Sequence, residues 1–228
     1  MKPSYKYYTI ASGGLLREGV REVSYDLKDF YEQNVDELTF LRSKIESLFA
    51  DLDAIYTVKG RVKKYKSLCA KIKRKRLKLR TEDDIKAHIT DLVGVRLLYL
   101  IGENFGVIHK YIMSLIEQGI FELCETPQAY TYDSDFEDTY AELGISVKTK
   151  ESRYTSVHYT VKLAGVSDFC CEIQVRSLFE EAWSEVEHLV NYPEKSSNPV
   201  CRRKLKALAK LVQKSNKLVN SIIAQSKI

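Results

Sequence analysis

Apolar and polar residues alternate strictly over two short stretches in the second half of the chain. Val157, Tyr159, Val161 and Leu163 alternate with Ser156, His158, Thr160 and Lys162. After a break at Ala164-Gly165, Cys171, Ile173 and Val175 alternate with Glu172, Gln174 and Arg176. A period of two marks a half-buried strand, so the pattern predicts two strands joined by a tight turn. Elsewhere the period is helical. Leu27, Phe30, Tyr31, Val35, Leu38, Leu41, Ile45 and Leu48 predict a long helix over 27–50. Residues 54–62 read as a strand, with Gly60 where a ligand or second backbone comes close. Residues 67–79 predict a basic helix, and Thr81-Glu82-Asp83-Asp84 has the form of a capping box opening a short one.

Residues 93–101 form a nearly continuous apolar run, suited to a central strand covered on both faces. Residues 104–116 predict an amphipathic helix burying Val107, Ile108, Tyr111, Ile112 and Leu115. Residues 121–126 read as an edge strand, and the acidic, tyrosine-rich 127–152 as a long irregular loop. A helix over 178–190, a linker over 193–199 and a closing helix with an apolar stripe over 205–223 complete the chain. Helices mixed with about five strands predict an α/β (α+β) domain on a mixed sheet. The 228 residues fit one domain: a core over about 55–195, an N-terminal helical segment over 1–53 and a C-terminal helix over 200–226.

Composition narrows the class. No apolar run approaches the ~20 residues of a membrane span, and residues 1–14 lack the apolar stretch of a secretory leader. Five cysteines without a CxxC pair point to reduced thiols and a cytoplasmic location. The net charge of +5 is modest but unevenly placed. From Lys59 to Arg80 there are twelve basic residues and no acidic one; from Asp133 to Glu142 there are five acidic residues and no basic one. A basic run is either a solvated helix face or a site for polyphosphate or nucleic acid.

Spacing favours a site. Arg61 and Lys63 share one face of a strand end, and Ser67, Lys71 and Arg74 follow at i, i+4, i+7 on one helical stripe. Cations converging where a strand feeds a helix N-terminus suit a triphosphate. Asp91 enters a buried strand, where an acid is costly unless paired or metal-bound, and Arg96 follows it. An N-capping Asp91 and a salt-bridged Arg96 are the plainer alternative. Asp91 and Glu172 both adjoin strands expected to be neighbours, and paired carboxylates facing a cationic cleft suit a Mg²⁺-bridged polyphosphate. Tyr154 offers a ring for a base to stack on, or is an ordinary loop aromatic.

Four blocks, RVKKYKSLCAKIKR, DLVGVRLLYL, RYTSVHY and EIQVRSLFEEAWSEVEHLVNY, resemble in order and spacing the synthetase domain of the RelA/SpoT alarmone synthetase family, over roughly residues 55–195. No His is followed by Asp, so the likeness is to small synthetases without the family's hydrolase domain. The resemblance implies a nucleotidyltransferase-like mixed five-stranded sheet flanked by helices. It also implies ATP-dependent pyrophosphoryl transfer to the 3′-hydroxyl of GDP or GTP, with Mg²⁺ as cofactor. By this likeness Arg61 and Arg96 sandwich the adenine, and Lys63, Ser67, Lys71 and Arg74 hold the ATP phosphates. Asp91 and Glu172 hold Mg²⁺, and Glu172 orients or deprotonates the attacking hydroxyl with Gln174 in support. Tyr154 stacks on the acceptor base; His158, Arg153 and Arg176 serve the acceptor side.

Two stretches depart from the family pattern. Arg153-Tyr154-Thr155-Ser156 stands where Gly-Tyr-Arg-Ser or Gly-Tyr-Lys-Ser is usual, and Glu181 stands where small synthetases carry Asn. A lost cation and a gained carboxylate predict a weaker hold on an acceptor's 5′-phosphates. Two alternatives therefore stand beside the guanosine acceptor: a toxic relative that modifies the 3′-CCA end of tRNA or an adenosine nucleotide, and a non-catalytic RNA-binding module. The partners expected are ATP with a nucleotide or tRNA acceptor, a second copy of the chain and an antitoxin; no membrane is expected.

Overall fold

The computed structural model describes residues 26–133, 137–191 and 196–226. The elements run α1 (Leu27–Leu48), β1 (Thr57–Val62), α2 (Tyr65–Lys75), α3 (Glu82–His88), β2 (Val93–Tyr99), α4 (Asn104–Glu117), β3 (Phe121–Leu123), β4 (Gln128–Tyr130), α5 (Glu137–Glu142), β5 (Ser146–Lys148), β6 (Ser156–Leu163), β7 (Cys171–Ser177), α6 (Leu178–Asn191) and α7 (Pro199–Ser226). One mixed sheet carries them, in the order β1-β2-β7-β6-β4-β5, with β3 also paired to β6. β2 and β7 are parallel; β1 with β2 and β6 with β7 are antiparallel.

The alternation seen in the sequence sets the two faces. Val95, Leu97, Val157, Tyr159, Val161, Cys171, Ile173 and Val175 are buried on one face, in the same core as Leu38, Leu41 and Ile45 of α1 and Ile108 and Ile112 of α4. The other face carries Lys59 opposite Arg96, Arg61 opposite Gly94, Glu172 beside Gly94 and Gln174 beside both Arg96 and His158. A one-residue slip would exchange these faces, so burial of the apolar set fixes the register of the polar one. The helix starts follow local rules. Asp26 caps α1 through its carboxylate, and Thr81 and Asp84 form the expected reciprocal capping box at α3.

Several expectations need correction. The sheet has seven strands, not five, because the supposed loop over 127–152 contains β4, α5 and β5. Three-residue strands are too short to show a period of two, so nothing in the pattern announced them. α2 starts two residues earlier than expected and stops at Lys75, where Arg76 turns left-handed at φ 52°. In α4 the buried set is Phe105, Ile108, His109, Ile112 and Leu115, while Val107 is exposed. The stripe of α7 is buried only at Leu205 and Ala209; Leu211, Leu218 and Ile222 face solvent. The close neighbour of Gly60 is no ligand: its amide donates to Glu46 Oε1 of α1 at 2.7 Å, and a Cβ there would collide with that side chain. Residues 1–25, part of the predicted N-terminal segment, lie outside the described residues. Among the described residues no helix is long and apolar enough to cross a membrane.

Candidate active site

The polar face of the central strands forms the floor of the site. Because Lys59 pairs with Arg96 and Arg61 with Gly94, Arg61 and Arg96 project from the same face of neighbouring strands. A Cβ added at Gly94 would stand 3.9 Å from Arg61 Cγ and Nε, so the Arg61 side chain passes over that glycine. At the end of β1 and in α2, Lys63 and Lys71 reach one carboxylate: their Nζ atoms stand 3.0 and 2.7 Å from Asp91. All three are largely shielded, which strengthens the attraction relative to an exposed pair. Asp91 is therefore no helix cap; it is the counter-ion of two ammonium groups. Ser67 shares the α2 stripe with Lys71, half-buried, and Arg74 projects from the last turn into solvent. The N-terminus of α2 has no side-chain cap, leaving its first amides open to an anion.

Two strands away, Glu172 accepts from His158 Nδ1 at 3.1 Å and from Gln174 Nε2 at 2.5 Å. Burial alone pushes the Glu172 carboxyl up. The His158 hydrogen bond and charge, then Gln174 and Lys71, overcome this and hold it down at about 2. Lys71 thus acts on both acids: it touches Asp91 and its charge stabilises ionised Glu172. The far nitrogen of His158 lies 2.9 Å from the Tyr154 hydroxyl. The Tyr154 hydroxyl itself accepts from Arg176 Nη1 at 3.3 Å.

Several placements differ from the sequence reading. Arg176, 1% exposed, is among the largest fully buried side chains of the described residues, so it is not itself part of an open surface and reaches the site through the Tyr154 hydroxyl. Arg153, at φ 66°, lies over the ring of Tyr132, 5.2 Å from its centroid. Thr155 lines a separate cavity of about 290 Å³ with Tyr99, Tyr140 and Trp183. Glu181 is not a loose negative charge on the acceptor side. It lies between Arg96 at 2.8 Å and Arg176 at 2.6 Å and is neutralised by them. The acidic run does not face the site at its first residue: Asp133 bonds Gln213 and pairs with Lys217 of α7.

The sequence reading missed Lys150, Tyr130 and Glu185. Lys150 Nζ sits 3.7 Å from the Tyr130 ring centre and 4.2 Å from that of Tyr154. It supplies beside Tyr154 the cation that Thr155 does not. Glu185, one turn after Glu181, reaches Arg96 at 2.5 Å. The only available signal was the i, i+4 pair of acids on α6.

The family model described as the region found in RelA / SpoT proteins matches residues 60–197, more than half of the chain. The chain belongs to the RelA/SpoT family. The GTP pyrophosphokinase YjbM of Bacillus subtilis is 26% identical over 170 residues, covering 71% of this chain and 70% of that protein. Small alarmone synthetase 1 of Bacillus subtilis, crystallised with its product pppGpp, superposes with a TM-score of 0.63 at 21% identity, covering 88% of this chain and 98% of that one. A GTP pyrophosphokinase family protein from Streptococcus pneumoniae gives a TM-score of 0.65 at 18% identity, covering 89% and 95%. These superpositions show a shared fold: a mixed sheet flanked by helices.

Proposed function

We propose that this RelA/SpoT family member transfers a pyrophosphoryl group from ATP to the 3′-hydroxyl of GDP or GTP, yielding alarmones of the (p)ppGpp type. The observation that carries the reading is the joining, on one sheet face, of the Lys63–Asp91–Lys71 cluster to the Tyr154–His158–Glu172 chain. The first has the charge to hold a triphosphate; the second presents a ring beside an ionised carboxylate. That relatives over the same region are named GTP pyrophosphokinase and small alarmone synthetase, one bound to pppGpp, supports the acceptor class.

In this reading Arg61 and Arg96 flank the adenine. Lys63, Ser67, Lys71 and Arg74 take the phosphates, with the uncapped start of α2 beside them. The acceptor 3′-oxygen attacks the β-phosphorus, the bond between that phosphorus and the α,β-bridging oxygen breaks, AMP leaves with the bridging oxygen, and the hydroxyl proton is lost to solvent water. Tyr154 stacks on the acceptor base, Lys150 meets its phosphates, and Gln174 and His158 fix Glu172. A carboxylate held at about 2 is a poor proton acceptor at neutral pH, so Glu172 orients the hydroxyl and stabilises positive charge rather than acting as a strong base.

Asp91 and Glu172 also fit Mg²⁺ as a donor set. Both offer hard carboxylate oxygens, and Lys71 is shared between them. Among the described residues no group of three or more His, Cys, Asp or Glu gathers, so the rest of the shell would come from phosphate and water. When bound, the ion neutralises charge on the phosphate oxygens.

A second reading has one observation behind it. A groove of about 590 Å³ lined by Lys150, Arg153, Lys206, Lys210 and Lys214 opens beside Tyr154, with Glu151 among its walls. Such a track suits a phosphodiester chain and so a tRNA 3′ end. Incubation with γ-labelled ATP plus GDP, GTP, ADP or deacylated tRNA separates the acceptors. Label in ppGpp or pppGpp is expected, and is lost in Asp91→Asn. Label in tRNA alone replaces the guanosine reading by the second, and RNA retention without any transfer replaces both by a binding module.

A further inference from the structure

Glu181 touches groups that lead to both ends of the site. It stands in the first turn of α6 with its side chain 9% exposed. Oε1 accepts from Arg96 Nη1 at 2.8 Å and lies 3.5 Å from Lys59 Nζ, while Oε2 is 2.6 Å from Arg176 Nη2. Arg176 donates to Ser184 Oγ at 2.9 Å and to the Tyr154 hydroxyl at 3.3 Å. From there the path runs to His158 and on to Glu172. An unbroken polar chain, Arg96–Glu181–Arg176–Tyr154–His158–Glu172, therefore crosses the floor from the donor end to the acceptor end.

Its middle link is close but not aligned. Arg176 Nη2 and Glu181 Oε2 are in ionic contact, yet neither makes a hydrogen bond of good geometry, and Arg176 Nε is also buried without one. Buried guanidinium donors left in this way are costly, and a small rotation of the carboxylate towards Arg176 would satisfy them. That rotation is restrained on the other side by Arg96, which Glu181 shares with Glu185. A group that drew Arg96 out of this contact would free Glu181 to close on Arg176.

We propose that Glu181 is a positioning residue that couples the two nucleotide subsites. This rests on the reading of Arg96 as a donor-side and Tyr154 as an acceptor-side group. A base stacking on Arg96 releases part of its hold on Glu181, the carboxylate turns to Arg176, and Arg176 fixes the Tyr154 hydroxyl and with it the ring. Donor binding thereby presets the acceptor platform, and by linkage acceptor binding tightens the donor to the same degree.

The test is acceptor affinity measured by calorimetry with and without α,β-methylene-ATP, on the full chain, using GDP and, in parallel, deacylated tRNA. In the wild type the analogue should tighten the acceptor by about fivefold or more, the lower range of ordinary coupling. Glu181→Gln should bring this factor close to one while each ligand still binds alone. Should loss of the charge beside Arg176 unfold the protein, Tyr154→Phe carries the same test. It keeps the ring, removes the hydroxyl link and leaves no buried charge unpaired, so the ratio of acceptor affinities with and without the analogue should fall to about one, whatever the affinity itself. A wild-type factor of one, or a wild-type factor retained in Tyr154→Phe, overturns the coupling while leaving the synthetase reading intact. A wild type that binds no ATP analogue overturns both.

Discussion

The proposed donor and acceptor ends of the site share one sheet face but are built differently. At the donor end, Arg61 and Arg74 are exposed, and the better-shielded Lys63 and Lys71 crowd on a single acid, Asp91. Positive charge there exceeds its local counter-charge and awaits an anion. At the acceptor end each polar group is already engaged. Tyr154 holds His158 and Arg176, His158 holds Glu172, and Lys150 rests on two aromatic rings. The difference teaches that the first end keeps unspent charge for an anion, while at the second the polar groups are engaged with one another and the Arg176–Glu181 link is still to be aligned.

The sharpest way to break this contrast is at Glu172, where the two ends meet through Lys71. Glu172→Gln should lower kcat by about 10²-fold or more, because a misplaced nucleophile loses most of the advantage of orientation. KM for ATP should change far less, and thermal melting should remain cooperative. Turnover within about threefold of wild type would mean that Glu172 is part of the scaffold only.

A smaller effect is expected at Lys150. If the acceptor end lacks spare charge apart from this residue, Lys150→Ala should raise the acceptor KM by about 2- to 10-fold, the worth of one polar contact, and leave the ATP KM alone. Equal rises in both constants would erase the distinction between the ends. Thr155→Arg should leave the preference between GDP and tRNA unchanged, since Thr155 lines the separate cavity.

The smallest effect concerns stability at the back of the acceptor end. Burial pushes the Glu180 carboxyl from 4.5 up to about 7, only partly opposed by hydrogen bonds from Ser177. The folded chain then binds this proton more tightly than the unfolded one. Its contribution is complete below about 4.5 and is lost as pH rises through about 7. Glu172 has the opposite sign: its contribution is present above 4.5 and is lost as pH falls towards about 2. Glu180→Gln should therefore flatten the fall in Tm between pH 5 and 8 by a few degrees, about the shift that one kcal/mol gives a chain of this size. A Tm profile parallel to wild type across that range would show that Glu180 is not protonated in the fold.

Much of the fold was legible where segments were long enough to show their period. β2, β6, β7, α1, α4 and α6 fall within a few residues of expectation. The misses have physical causes. The three-residue β4 and β5 exist because β6 and each other supply their hydrogen bonds, not because their own sequence demands a strand. In α4, Phe105 and His109 are buried against Tyr140 and Tyr159 and draw the buried stripe away from Val107. The site was legible in its parts. The family blocks named the residue types, and the alternation put His158, Glu172 and Gln174 on one face.

Spacing within the chain was enough to determine faces: which side chains line a strand, and which cations share a helical stripe. Those follow from fixed periods of 2 and 3.6 residues and need no tertiary partner. Only the tertiary structure decided which charge meets which. Asp91 takes Lys63 and Lys71; Arg96 takes Glu181 and Glu185, more than eighty positions along the chain. Coulomb energy depends on separation in space and on the shielding around the pair, and the packing of α6 over β2 and β7 sets both. That packing turned Glu181 from the free acid its sequence position suggested into the buried counter-ion of two arginines.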